Sequence, residues 1–314
     1  MPKTNSILRK TVAKPFVKWA GGKGNLLSIL ESQLPDDFDK QESVTYIEPF
    51  VGGGAMLFHM INSHKNIRHV IINDINKDLI RCYLLVKEKP QKLIELLYPL
   101  EQQYRGLNED NKRDFYYEIR NDYNIGKLSL DQRAAYFIFL NQTCFNGLYR
   151  ENANGNFNVP FGRYKKPNIC NIDVIMADHK ALSGVTILCG DYSKILLHVD
   201  SDYNFIYLDP PYRPLLGSDN FKQYSKSDFG DLQQEKLKDF CDKLSDQECK
   251  FMLSNSDSLI EDGTSYFETL YEGYFFNKIL APRFINAYAE KREKQKEILI
   301  TNFNNPKEVL PIIP

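Results

Sequence analysis

Tryptophan is nearly missing from this 314-residue chain, with Trp19 its single copy. Cysteine is sparse and unpatterned. Cys82, Cys144, Cys170, Cys189, Cys241 and Cys249 form no C-x-x-C pair and no zinc-type spacing, and several lie in apolar runs. That excludes a disulfide scaffold and a structural zinc site, and reads as reduced core thiols. Net charge is also lacking: a formal −1 rules out bulk attraction to polyanions, so any nucleic-acid face must be a local basic patch. The longest apolar run, AAYFIFL, falls far short of the roughly 20 residues of a bilayer-crossing helix. The basic N-terminus has no apolar stretch of the signal-peptide kind. The expectation is a soluble, cytoplasmic protein.

Two nucleotide signatures are absent as well. KWAGGKGNL (18–26) places Gly24 after Lys23, where a P-loop needs Ser or Thr and a different glycine spacing. YIEPFVGGGAML carries Leu57 where a dinucleotide-binding G-x-G-x-x-G needs Gly or Ala.

What is present has the grammar of an α/β protein. TYIE (45–48) and HVIIND (69–74) read as short buried strands, followed by the helical patterns AMLFHMINSH and KDLIRCYLLVKEK. The pattern returns as VTILCGD then YSKILLHV, NFIYLD, a helix near LQQEKLKDFCDKL, CKFMLSNS, and a closing strand EILITNF. Between the two halves lies a helical, aromatic-rich stretch broken by NGLYRENANGNFNVPFGRYKKPN. The expected fold is a doubly wound, mostly parallel sheet over 1–88 and 182–314, interrupted by a mainly helical module over 89–181.

Chemistry concentrates at strand ends, where open α/β sheets bind ligands. Gly52, Gly53 and Gly54 follow a strand and precede a helix, suiting either close backbone approach to a ligand or a tight turn. Asp74 ends the next strand, as a ribose-binding acid or as a helix cap. Trp19 beside the glycine-flanked Lys23 suits stacking on, and charge pairing with, a small ligand, or else core packing. In IYLDPPYRPL, Asp209 closes a strand. Pro210 and Pro211 stiffen the turn and offer no N–H, and Tyr212 adds a flat ring. Two acceptors and an aromatic face suit a planar substrate bearing an amino group.

KWAGGK, EPFVGGG, NDIN, NGLYREN with VPFGRY, GDY, DPPY and SNS stand in the order found in Dam-like DNA adenine N6-methyltransferases, and the chain resembles that family from Lys14 to Asn302. The resemblance implies S-adenosylmethionine as methyl donor, no metal, double-stranded DNA as substrate and GATC as target. A cognate restriction endonuclease is the further partner such chains can have. It implies that Trp19, Lys23, Phe50, Gly52, Gly54, Asp74, Asp191 and Asp209 serve the cofactor, and that Asp209, Pro210, Pro211 and Tyr212 form the catalytic tetrad. On the DNA side it implies Asn146, Arg150 and Asn152. The neighbouring Arg163, Lys165 and Lys166 join them as a basic cluster, with Arg283 and Arg292 in RFINAYAEKR. There Tyr288 and Ala289 replace the Asn-Gly pair common in relatives. RNA or protein methylation, and a DNA-binding relative without activity, are the rival readings.

Overall fold

The computed structural model describes residues 11–19, 21–199, 203–214, 229–281 and 295–304. Seven strands form one sheet: β1 (Val44–Glu48), β2 (Ile67–Asp74), β3 (Val185–Cys189), β4 (Tyr203–Leu208), β5 (Lys250–Ser256), β6 (Phe275–Ala281) and β7 (Gln295–Thr301), in the order β3-β2-β1-β4-β5-β7-β6. β1 pairs in parallel with β2 and β4, and β4 with β5, whereas β7 runs antiparallel to β5 and β6. The order proceeds outward from β1 and β4 in two directions, so the expected mostly parallel α/β sheet is borne out, with its switch point between those strands. VTYIE is buried at every position and YNFIYL at all but its first. Such continuous burial is typical of parallel strands covered on both faces. β6 was not legible from FFNKILA: it is an edge strand bonded to β7 alone, so Asn277 and Lys278 break its apolar run at little cost.

The chain divides into two compact units, one of residues 1–22, 52–63 and 76–187, the other of 23–51, 64–75 and 188–314. The second unit holds nearly all of the sheet. Helices α8 (Asp231–Asp246) and α9 (Tyr266–Leu270) bring Leu237, Phe240, Leu244 and Phe267 into one core with Phe251, Leu253, Ile298 and Ile300. The short helix α1 (Leu27–Ser32) also belongs to it. YSKILLHV, expected to be helical, forms a 3-10 segment over Tyr192–His198.

The first unit is helical: α2 (Ala55–Ser63), α3 (Lys77–Glu88), α4 (Pro90–Gly106), α5 (Glu109–Ile125), α6 (Leu130–Thr143) and α7 (Ile172–Leu182). Its boundaries follow local chemistry. Asn76, Asn108 and Asn171 cap α3, α5 and α7 through their side chains, Pro90 opens α4, and Ser129 with Gln132 makes a capping box on α6. AAYFIFL lies within α6, which is buried nearly all round, as suits the central helix of a bundle. One buried fixture joins three helices: Asp78 takes two 2.8 Å bonds from Arg133 and a further one from Tyr123. Burial alone would raise the Asp78 carboxyl, but Arg133, Tyr123 and Arg81 outweigh it and hold it below its ordinary value. All six cysteines are free thiols, five of them buried, as their scatter suggested. No helix among the described residues is long and apolar enough to cross a membrane.

Candidate active site

β4 ends in the turn Asp209-Pro210-Pro211-Tyr212, beside the switch point of the sheet. Asp209 is held through a single oxygen. Oδ1 accepts from Ser254 Oγ at 3.0 Å and lies 3.3 Å from Lys23 Nζ, while Oδ2 has no partner among the described residues. The Pro210 carbonyl likewise accepts no hydrogen bond there, whereas the Pro211 carbonyl is taken by Gln234 at 3.1 Å. Two acceptors are therefore left open at the strand end, on the residues that sequence chemistry singled out. Lys23 is buried among negative groups: its ammonium also donates to the Tyr212 hydroxyl at 2.5 Å and stands 3.5 Å from Glu297 Oε2. Burial, and then the charges of Asp209 and Glu297, push the Tyr212 hydroxyl well above its ordinary value. It is a neutral donor.

A second group of predicted residues gathers along β1, β2 and β3 at the same edge. Asn73 Nδ2 donates to the carbonyls of Pro49 (3.0 Å) and Gly190 (2.9 Å), binding the ends of β1 and β3 to β2. Phe50 packs on Tyr192 at 5.2 Å, and the Asp74 carbonyl accepts from Gly190 N–H. The cap of α3 is Asn76, so capping is not the role of Asp74. Asp191 does cap, accepting from Ser193 N–H at the start of the 3-10 segment. The Asn73 Oδ1 is buried without a partner. A carboxylate at the end of β2, an aromatic wall and an unsatisfied amide oxygen fit the ribose and base of a nucleoside.

In the first unit, Gly52 and Gly54 adopt left-handed backbone (φ +48° and +74°) leading into α2. A Cβ on Gly52 would come within 2.7 Å of the Trp19 ring, and one on Gly54 within 2.5 Å of the Tyr83 hydroxyl. Both conformation and space therefore demand glycine. Trp19 is half-buried, with its ring stacked near Tyr149 (5.8 Å) and Phe137 (6.4 Å).

Comparison with known proteins agrees with this chemistry. The model of the D12 class N6 adenine-specific DNA methyltransferases matches residues 19–284. The chain belongs to that family. It is 44% identical to the type II methyltransferase M.MjaIII of Methanocaldococcus jannaschii, over 92% of this chain and 99% of the relative. It is 35% identical to the DNA adenine methylase of Haemophilus influenzae (95% and 96% covered), and 34% identical to the type II methyltransferase M1.LlaDCHI of Lactococcus lactis subsp. cremoris (93% and 96%). The protein is an adenine-specific DNA methyltransferase.

In this methyltransferase the segment expected to face DNA is a small hairpin. Glu151 bridges Phe157, and Asn158 N–H donates to the Arg150 carbonyl. Asn146, Arg150, Asn152, Arg163, Lys165 and Lys166 are all exposed. Arg150 is held by Asn158, whose Oδ1 accepts from Nε at 2.7 Å and whose carbonyl accepts from Nη2 at 3.4 Å. It makes no ion pair among the described residues. Asn152 Oδ1 is used internally, accepting from Asn154 and Asn156 N–H groups to shape the turn. Asn146 and Arg163 have positive φ (52° and 56°), uncommon outside glycine. Arg283 and Arg292 lie outside the described residues.

Sequence reasoning passed over Glu297, Ser254, Asn255, Asn73 and Asn141. SNS was noted in order but without a role. Its Ser254 binds Asp209, Asn255 Oδ1 accepts from Arg213 N–H, and Ser256 Oγ donates to the Arg213 carbonyl, so β5 fixes both ends of the tetrad turn. Asn141 Oδ1 accepts from Lys18 N–H while Nδ2 donates to the carbonyls of Lys18 and Gly147. That ties Trp19's neighbour to the hairpin segment. The available signal was a lone acid leading an apolar strand (EILIT) and lone amides ending apolar runs.

Proposed function

We propose that this methyltransferase modifies the exocyclic N6 of adenine within GATC in duplex DNA, with Asp209-Pro210-Pro211-Tyr212 as the catalytic tetrad. The observation that carries the tetrad assignment is the pair of open acceptors, Asp209 Oδ2 and the Pro210 carbonyl, on one stiff turn. The N6 lone pair of adenine is delocalised into its ring, which makes the amine a poor nucleophile. Accepting its two hydrogens at Oδ2 and at the Pro210 carbonyl favours a tetrahedral nitrogen with an available lone pair. As N6 gains its methyl group it must lose one hydrogen as a proton, and the Asp209 carboxylate receives it. The rate gain comes from placement and preorganised acceptors rather than from a strong base. The target base must leave the duplex to reach this turn, and Tyr212 offers it a stacking face.

S-adenosylmethionine, when bound, supplies an electrophilic methyl group on a positive sulfonium. Phe50, Asp74 and Asp191 fit its nucleoside, and the family pattern adds Trp19, Lys23, Gly52, Gly54 and Asp209. No cluster of metal-binding side chains is present among the described residues. Residues 89–181 are proposed as the target-recognition insert, and Asn146, Arg150, Asn152, Arg163, Lys165 and Lys166 as its DNA face. GATC rests on the NGLYREN segment. The type II designation of two relatives is the reason for adding a cognate restriction endonuclease to the proposed partners. Labelled-methyl transfer tests the reading: GATC duplexes should accept label and single-substituted duplexes should not. Asp209→Ala, at saturating donor and DNA, should lose at least about 100-fold in rate, the scale seen when one preorganised polar group is removed. Near-normal turnover of that variant would remove the tetrad from the mechanism.

A further inference from the structure

The charge arrangement behind the tetrad holds one group too many for a simple ion pair. Lys23 is a single cation facing two carboxylates, Asp209 at 3.3 Å and Glu297 at 3.5 Å, with side-chain exposure of 6% for Lys23 and 10% for Glu297. Its ammonium donates a hydrogen bond to the Tyr212 hydroxyl and pairs by charge with Asp209 Oδ1 and Glu297 Oε2. The Tyr212 hydroxyl in turn donates to Glu297 Oε2 at 3.1 Å. Glu297 reaches this point from β7, where it pairs with Ser256 of β5 and Ile279 of β6, so it stands on an interior strand rather than a loop. Burial raises its carboxyl, the charge of Lys23 pulls it back down, and the neighbouring charge of Asp209 raises it again.

We infer that Glu297 is a positioning residue for methyl transfer: it shares Lys23 with Asp209 and anchors the Tyr212 hydroxyl, so that Lys23 neutralises the Asp209 carboxylate less and leaves it a stronger acceptor for the amine. This rests on the reading of Asp209 as acceptor of the amine hydrogens. Were Lys23 to face Asp209 alone, the buried pair would be neutral, and the ammonium would close further on the carboxylate. With an ionised Glu297 the three groups carry one net negative charge, and Lys23 stands between the two carboxylates, 3.3 Å from Asp209 Oδ1 and 3.5 Å from Glu297 Oε2. Tyr212 loses the same anchor if Glu297 goes, and its ring follows directly on Pro211. Glu297 itself has no place among the reacting atoms, and its effect passes through Lys23 and Tyr212.

Glu297→Gln is nearly isosteric and can still accept from Tyr212, but carries no charge. At saturating S-adenosylmethionine and GATC duplex, its single-turnover transfer rate should fall 10- to 100-fold. Because Lys23 belongs to the proposed cofactor set, the rate is read at saturating S-adenosylmethionine; affinity for DNA (anisotropy) should stay within twofold of wild type and melting temperature near it. Glu297→Asp keeps the charge at shorter reach and should recover part of the rate. A purely structural role predicts the opposite split: lower melting temperature with an unchanged rate in the folded fraction. A Glu297→Gln rate within twofold of wild type, or a Glu297→Asp rate no better than Glu297→Gln, overturns the inference. Asp209→Ala runs beside them. If it is inactive while Glu297→Gln is normal, only this inference fails; if it retains full rate, the tetrad reading fails and takes the inference with it.

Discussion

Asp178 shows how far a single side chain can depart from its ordinary chemistry in this molecule. It is fully buried in the helical unit. Oδ1 accepts from Lys14 N–H at 2.9 Å, while Oδ2 is buried with no partner. Burial pushes its carboxyl up to about 8, against the hydrogen bond and charge of Lys14. An acid raised in the folded state holds an extra proton there between its unfolded value, about 4, and its folded one. Stability therefore falls as pH rises through that window, and the full penalty is present above it. Asp178→Asn keeps an acceptor for Lys14 and cannot ionise, so its advantage over wild type should grow from pH 5 to pH 9. Melting temperatures across that range check the point, and a difference that does not vary with pH would rule it out. Nothing in MADHK distinguishes this acid from an exposed helix residue. Asp209, Tyr212 and Lys23 could be singled out because each sits in a short motif of unusual residue types, and the structure brings the three together. Glu297 and Asn73 could not, because their contacts depend on which strands become neighbours.

Strands and helices were easier to read than their partners. Continuous apolar runs announced β1 and β4 from local sequence, whereas the side chains that cap the helix starts, Asn76, Asn108 and Ser129, were passed over although they too act locally. The neighbours of β5 were hidden, since β7 joins it only after a long excursion along the chain. Yet β5 carries the side chains that fix the tetrad turn. Asn255 is buried, and its Oδ1 accepts from Arg213 N–H at 3.0 Å and from Ser256 N–H at 2.9 Å. Asn255→Ala takes that acceptor from both. Each buried donor left unsatisfied costs about 1–3 kcal/mol. The variant should therefore lose stability on that scale, and transfer rate with it, as the turn loosens. Urea unfolding and single-turnover rates measured on the same preparation decide this. If neither moves, β5 does not hold the tetrad in place.

At the scale of the whole molecule the controlling fact is a formal net charge of −1. Such a chain gains little from long-range attraction to DNA, so affinity must come from where its cations are concentrated. Arg150, Arg163, Lys165 and Lys166 are exposed along one segment, and Arg150 is held by Asn158 rather than by a carboxylate. Arginine can grip a guanine edge through two parallel bonds, an interaction worth about 1–3 kcal/mol of discrimination, whereas lysines on phosphates position without specifying. The two kinds of interaction separate experimentally. Removing one cation from a phosphate should lower the slope of log affinity against log salt by roughly 0.9. Lys165→Ala with Lys166→Ala should thus flatten that slope by roughly 2, weaken all duplexes alike and leave the ranking of sites intact. Arg150→Ala should do the reverse: the slope changes little, while GATC loses its lead over duplexes altered at the guanine. Binding isotherms at several salt concentrations, on GATC and its single-substituted variants, give both quantities. A ranking unchanged by Arg150→Ala would leave this arginine a phosphate-binding group, and base reading would have to come from elsewhere in the chain.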